Sequence, residues 1–465
     1  MLFHSPGFLL VFLPLFLAAM VLLPAGTTRA VTLLGFSYLF YSAGEPLFVL
    51  LLVISSTTDF FVALKLSVTE DLRFRRIWLL VSLVVNLGLL GFFKYGGWVL
   101  PHFAPALATI GIPTLSEDFF RGFVLPAGIS FYTFQSLAYT IDVYRRDVEP
   151  ERSLLSFCNY VAYLPQLIAG PIERFNQLGP QLHRFIDGRT RPQWSAGLDR
   201  ILLGVFQKLV LADGCGHLVD RMLVYPGAFD LFAAWSIAVG FGLQIYFDFA
   251  AYTHMAIGVS LLLGVRLQEN FLAPYQADSI REFWRRWHVT LSRWFRDYLY
   301  IPLGGSRVAG VRTVFNLLVT FLLCGLWHGA GLNFLFWGLM HGLYLGIFHT
   351  KQRIIPNWSL PHPLAVLLTF AAVSFAWVPF RVDDMFTVVK IWSGMVGVYG
   401  VGESVVSTTD ILIVGILTLL TMIVPHAGSR WPGASGWKES LAIAGLAGFA
   451  ILSSPSVTRF IYFQF

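Results

Sequence analysis

The chain has 465 residues, of which 56% are hydrophobic and 12% charged, with a mean hydropathy of +0.68 and a formal net charge of +6. Soluble domains carry about twice that charged fraction, so a soluble globular fold is excluded and an all-α polytopic membrane protein is expected. The basic residues punctuate apolar runs and form no continuous face, which speaks against nucleic-acid binding.

The opening MLFHSPGFLLVFLPLFLAAMVLLP lacks a basic start and is followed at once by further apolar runs, so it reads as an uncleaved first span. A bilayer core takes about 20 apolar residues per helix. Apolar runs fall roughly at 6–24, 30–43, 46–65, 77–97, 121–141, 154–170, 197–215, 229–249, 251–266, 314–328, 332–349, 362–380, 384–400, 408–425 and 438–454. Several must be short, re-entrant or merged, which leaves about 11–13 crossings plus interfacial helices. The reading is one membrane domain over 1–465, with a core at 121–381, N-terminal helices in 1–120 and C-terminal helices in 382–465. Strand-type alternation and 20–50-residue repeats are not seen, which disfavours a barrel or a repeat architecture. If the first three runs cross and the Arg73, Arg75, Arg76 link is cytoplasmic, the N-terminus lies outside.

Polar residues inside these runs are the informative ones, because an unpaired polar group in hydrocarbon costs several kcal/mol. In LPAGISFYTFQSLAYTIDVYRRD, Tyr132, Gln135, Ser136 and Tyr139 recur at helical spacing, and Asp142 reads as an ion-pair partner of Arg145 or Arg146. In LQIYFDFAAYTHMAIG, Asp248 precedes Tyr252 by one turn, and a Tyr, Arg or His partner with a bracing role is expected. Cys158, Cys215 and Cys324 are far apart and form no CxxC, so they read as buried thiols and no metal site is expected.

Residues 281–305, REFWRRWHVTLSRWFRDYLYIPLGG, carry many charges and aromatics. On a continuous helix Trp284, Trp287, Leu291, Trp294 and Tyr298 form one stripe, and Arg281, Arg285, His288 and Ser292 form another. An interfacial helix follows, read either as an anchor or as the cytosolic mouth for an anionic substrate. The nearby arginines would keep His288 neutral.

In GLWHGAGLNFLFWGLMHG, His328 ends an apolar run; Trp327 offers a flat wall, and Gly329 lets backbone or substrate approach. His341 follows 13 residues later, about 20 Å of rise and a rotation near 220° on a straight helix. It therefore reads as a packing or supporting residue, and His288 as the better spatial partner for His328.

Taken together, LPAGISFYTFQSLAYTIDVYR, YLPQLIAGPIERF, LQIYFDFAAYTHMAIG, the 281–305 segment and NLLVTFLLCGLWHGAGLNFLFWGLMHG resemble the membrane-bound O-acyltransferases, in particular the branch that serves bacterial alginate O-acetylation. The similarity runs from FHSPGFLLVFLP to about WVPFR. It implies a ring of helices with a tunnel from the cytosolic side, His328 as the catalytic histidine and His288 as the second one. Ala250, Ala251, Thr253 and His254 depart from the family's FDFSGYSDMAIG.

The resemblance implies acetyl transfer from acetyl-CoA across the bacterial inner membrane to an exported polysaccharide. His328 would act as general base or as the site of an acetyl-imidazole, and His288 would orient the acceptor or steady the oxyanion. Arg281, Arg285, Ser292, Trp327 and Gly329 are the expected substrate contacts, and Asp248, Tyr252 and His341 the supporting ones. No permanently bound cofactor is expected. The expected partners are a periplasmic or extracellular acetyltransferase, the polysaccharide and membrane lipid. Two alternatives stand beside this: a transporter or flippase of an acyl or lipid-linked sugar carrier, and the same chemistry directed to cellulose, peptidoglycan or teichoic acid.

Overall fold

The computed structural model describes residues 2–109, 125–224, 227, 229–401, 406–424, 437–453, 458 and 460–461. Among these residues the secondary structure is helical, with no strand. The protein is an all-α polytopic membrane protein. The start of the expected 121–141 run and the last residues of the runs ending at 425 and 454 lie outside the described residues.

Among the described residues, six helices are long and apolar enough to cross a membrane: Phe48–Val68, Leu72–Val99, Trp194–Leu223, Leu231–Leu262, Gly310–His328 and His362–Arg381. Phe8–Leu22 and Thr408–Ile423 are shorter apolar helices. Several expected runs take a different form. Those at 229–249 and 251–266 merge into the 32-residue helix Leu231–Leu262, because the polar groups around Asp248 sit on the helix without interrupting its backbone. The run at 154–170 yields only Leu154–Val161, about 12 Å of helix, since Pro165 and Pro171 cannot continue the ladder. The run at 384–400 yields Met385–Met395, also too short to cross.

The chain divides into two compact units: Met1–Ile201 with Tyr252–Gln268, and Leu202–Ala251 with Glu269–Phe465. The first is tied by a polar knot. Asp59 on Phe48–Val68 accepts hydrogen bonds from Ser82 and from Asn86 Nδ2 (2.9 Å) on the next helix, and from Ser136 on Ile129–Arg145. All four side chains are buried, so each bond replaces a lost water contact and fixes three helices to one another. The polar residues of Ile129–Arg145 are spent similarly: Gln135 donates to the Tyr160 carbonyl (2.8 Å), and Tyr139 Oη accepts from the Glu151 backbone N–H (2.9 Å). Arg146 pairs with Glu70 at 2.6 Å.

The second unit is organised by the hairpin of Gly310–His328 and Leu332–Ile354. The two helices lie backbone against backbone: a Cβ on Gly325 would strike the Phe334 carbonyl, and one on Gly338 the Phe321 carbonyl. Small residues permit such close packing between helices in a membrane.

Candidate functional site

All residues of this site belong to the second unit. The 281–305 segment is not one helix. Ile280–Arg286 stops, His288 takes a left-handed conformation (φ +41°), and Val289–Phe295 starts in a new direction. A non-glycine residue in that region is strained and needs support. Residues 270–272 give it: the Val289 N–H donates to the Asn270 carbonyl (2.9 Å), Thr290 Oγ1 to Asn270 Oδ1 (2.7 Å) and the Leu272 N–H to the Arg286 carbonyl (3.0 Å).

The break corrects both expected stripes. Trp284, Trp287 and Leu291 are buried in the protein and do not form an outward aromatic face; only Trp294 and Tyr298 are partly exposed, their rings tilted to one another at 5.2 Å. Arg281 and Arg285 point to the exterior, while His288 is 0% exposed. Arg285 and Arg286 share Glu282 at 3.4 and 2.9 Å. The hydroxyl of Ser292 is given to the Trp287 carbonyl (3.1 Å). His288 is neutral for another reason than the arginines: burial pushes its imidazole down to about 3.

His328 is the last residue of its helix, and Gly329 follows in extended conformation. A side chain at Gly329 would collide with the Phe334 ring, so glycine is required for the chain to turn here. The His328 ring is 3% exposed and is walled edge-on by Trp327 (4.9 Å), Trp337 (5.0 Å) and Phe380 (5.1 Å). His288 lies on Trp327 at 5.9 Å and on Phe249 at 4.6 Å. Trp327 thus lies against both histidines.

His341 is nearer to this cluster than a straight helix would allow. The chain reverses at residues 329–331, and His341 packs on Trp337 at 4.8 Å, the same indole that walls His328. Trp284 Nε1 donates to His341 Nδ1 (3.2 Å), so the neutral ring carries its proton on Nε2. His341 is fully buried and supports the indole beside His328.

Asp248 has a partner, but a lysine. Its Oδ1 lies 2.7 Å from Lys208 Nζ, and Oδ2 accepts from the Ile461 N–H at 2.6 Å. Lys208 also reaches Asp213 at 2.9 Å. Tyr252 falls in the first unit, where it stacks on Phe3 at 4.9 Å. His254, also there, meets Arg200 Nη1 through Nδ1 at 2.7 Å, so this departure from the family pattern sits beside a buried arginine. The three cysteines are buried, as expected. Among the described residues, no group of three or more His, Cys, Asp or Glu is placed to hold a metal ion.

Sequence reasoning missed Trp337, Phe380, Asn270 and Lys208. For Lys208 a signal was present: a lone lysine in ILLGVFQKLVLADG, five residues before an aspartate. The aromatic walls carried none, since Trp337 and Phe380 look like any other apolar residue of their runs.

The arrangement is two buried imidazoles against one indole, at a helix end opened by glycine. It can accept and return a proton in surroundings that exclude water. The family model of the membrane-bound O-acyltransferases matches residues 145–373, which contain every part of this cluster except Phe380. The chain is 35% identical to a peptidoglycan O-acetyltransferase of Helicobacter pylori, over 86% of this chain and 81% of that protein. It is 37% identical to a probable alginate O-acetylase of Pseudomonas aeruginosa, over 92% and 82%. A teichoic acid D-alanyltransferase of Bacillus subtilis is 26% identical over 53% and 66%. Matched along nearly its whole length by such relatives, the chain belongs to the membrane-bound O-acyltransferase family and is an acyltransferase of the membrane.

Proposed function

We propose that this chain moves an acetyl group from cytosolic acetyl-CoA across the bacterial inner membrane for O-acetylation of an exported polysaccharide such as alginate. The observation that carries the reading is that His288 and His328 both pack on Trp327, at 5.9 and 4.9 Å. His328 takes the proton of an acceptor hydroxyl as its oxygen attacks the thioester carbonyl. The carbon–sulfur bond breaks, and the departing thiolate takes that proton back. General-base assistance of this kind supplies roughly 10²–10⁴-fold. His288, held neutral by burial, retains an N–H that can steady the oxyanion. The exposed Arg281 and Arg285 suit the phosphates of the donor, and Trp327 and Gly329 border the acyl position. A periplasmic partner protein would carry the acetyl group onward to the polymer. Relatives named for alginate and for peptidoglycan support O-acetylation and leave the acceptor to experiment.

The test is His328→Ala in purified protein, with thermal unfolding as the control for folding. Acetyl-CoA turnover is expected to fall at least about a hundredfold at an unchanged unfolding temperature; full retention refutes the assignment. Mass spectrometry of envelope polysaccharides from a deletion strain identifies the acceptor through the ester that disappears. A strain that keeps every ester refutes the polymer reading.

A further inference from the structure

A second polar site lies apart from the histidines, within the second unit. A pocket of about 110 Å³ is lined by Lys208, Asp213, Gln244, Asp248 and Thr458, with the exposed His217 and Asp220 at its edge. Lys208 and Asp248 belong to two helices long enough to cross the membrane, and Lys208 sits on a π-helical turn, Gln207–Ala212. Such turns often mark functional positions, and ionisable residues at such depth are functional candidates by default.

The lining has a definite polarity. Lys208 is 4% exposed, and its Nζ lies 2.9 Å from Asp213 Oδ1 and 2.7 Å from Asp248 Oδ1. Thr458 Oγ1 donates to Asp213 Oδ1 at 2.7 Å, and the Ile461 N–H to Asp248 Oδ2. Among the described residues, three buried acceptors of the lining have no hydrogen-bond donor: Asp213 Oδ2, on a side chain 10% exposed, Gln244 Oε1, and Asp248 Oδ1, which is close to Lys208 only as an ion pair. Gln244 approaches because residue 216 is glycine; a Cβ there would lie 2.6 Å from Gln244 Nε2. Among the described residues of the lining, one ammonium against two carboxylates leaves one negative charge, since Asp220 is already paired with Arg381 at 2.6 Å. Unfilled acceptors together with net negative charge select a ligand that is both a hydrogen-bond donor and a cation.

From this polarity we infer that the pocket binds a primary ammonium group. It donates to Asp213 Oδ2 and Gln244 Oε1 and neutralises the remaining charge. The ammonium can come from a small soluble amine or from an aminolipid headgroup. The site is independent of the acetyl-transfer reading.

The experiment uses the full chain in phosphatidylcholine nanodiscs, titrated with ethanolamine, tetramethylammonium chloride or sodium chloride while unfolding temperature is followed. A ligand that binds only the folded state raises that temperature with concentration. Ethanolamine is expected to give a saturable rise and the other two salts none. Gln244→Leu removes one charged-group hydrogen bond and is expected to weaken the apparent affinity about tenfold or more. Gly216→Ala, whose added methyl displaces the same amide, is expected to act in the same direction and decides the matter if Gln244→Leu does not fold. Equal effects of tetramethylammonium, a rise with sodium alone, or unchanged affinity in both variants overturn the inference. Native mass spectrometry after exchange into mixed nanodiscs separates the sources. Retention of phosphatidylethanolamine over phosphatidylcholine identifies the lipid; ethanolamine binding without it identifies a soluble amine; absence of both overturns the site.

Discussion

Replacing Lys208 by methionine tests the polar core of the second unit most directly. Methionine matches much of the lysine volume, so packing is little disturbed, but the ammonium between Asp248 (2.7 Å) and Asp213 (2.9 Å) is removed. The lysine and Asp248 are almost wholly buried, at 4% and 2% exposure, so water cannot take over as partner. Removing one member of such a buried pair costs about 3–5 kcal/mol, because the remaining charge is left uncompensated. Two carboxylates share one lysine here, which places the expected loss at the upper end. Lys208→Met/Asp248→Asn removes one of the stranded charges, and the amide can still accept the Ile461 N–H. The double variant is therefore expected to be more stable than Lys208→Met alone, a non-additivity that a double-mutant cycle reads directly. Thermal or denaturant unfolding in detergent measures it. A loss below about 1 kcal/mol for Lys208→Met, a surface-pair value, would refute the reasoning, as would strict additivity with Asp248→Asn.

Three further expectations follow from the geometry. Trp337→Ala should lower acetyl transfer about tenfold or more, because His328 and His341 lose the indole they share, while Trp337→Phe retains most of it; equal losses in both would show that the wall is not what positions His328. Gly338→Ala should force the 310–328 and 332–354 helices apart and lower stability by about 1–3 kcal/mol; an unfolding temperature equal to that of the parent contradicts the close approach. The third concerns pH. His183 Nε2 lies 2.9 Å from Glu151, outside the spans. The Glu151 hydrogen bond raises the His183 imidazole above its usual value, against a smaller effect of burial. For Glu151, burial raises the carboxyl, but the His183 bond and backbone donors together outweigh it and lower the net value. The raised histidine stabilises fully below its ordinary value of 6.5 and loses this as pH rises. The lowered carboxyl stabilises above 4.5 and loses this as pH falls. Stability from the pair is thus greatest between those values. Glu151→Gln should flatten the dependence; an unchanged pH profile of unfolding in that variant counts against the pair.

Composition alone settled the class of this protein, because 12% charge cannot clothe a soluble surface, and the His328 and His288 motifs were legible since imidazoles stand out in apolar surroundings. Where those imidazoles meet was decided elsewhere. The left-handed turn at His288 depends on Asn270, distant in sequence, and divides a segment whose periodicity reads as one helix. His341 comes beside Trp337 and the His328 site through a reversal at residues 329–331, which helical spacing carried across a straight rod cannot anticipate. Lys208 as the partner of Asp248 bridges two separate helices, and periodicity describes only one helix at a time. The sequence by itself determined which groups are costly to bury. Only the tertiary structure decided which group satisfies which, because that choice depends on contacts between elements and not on the order of residues within one.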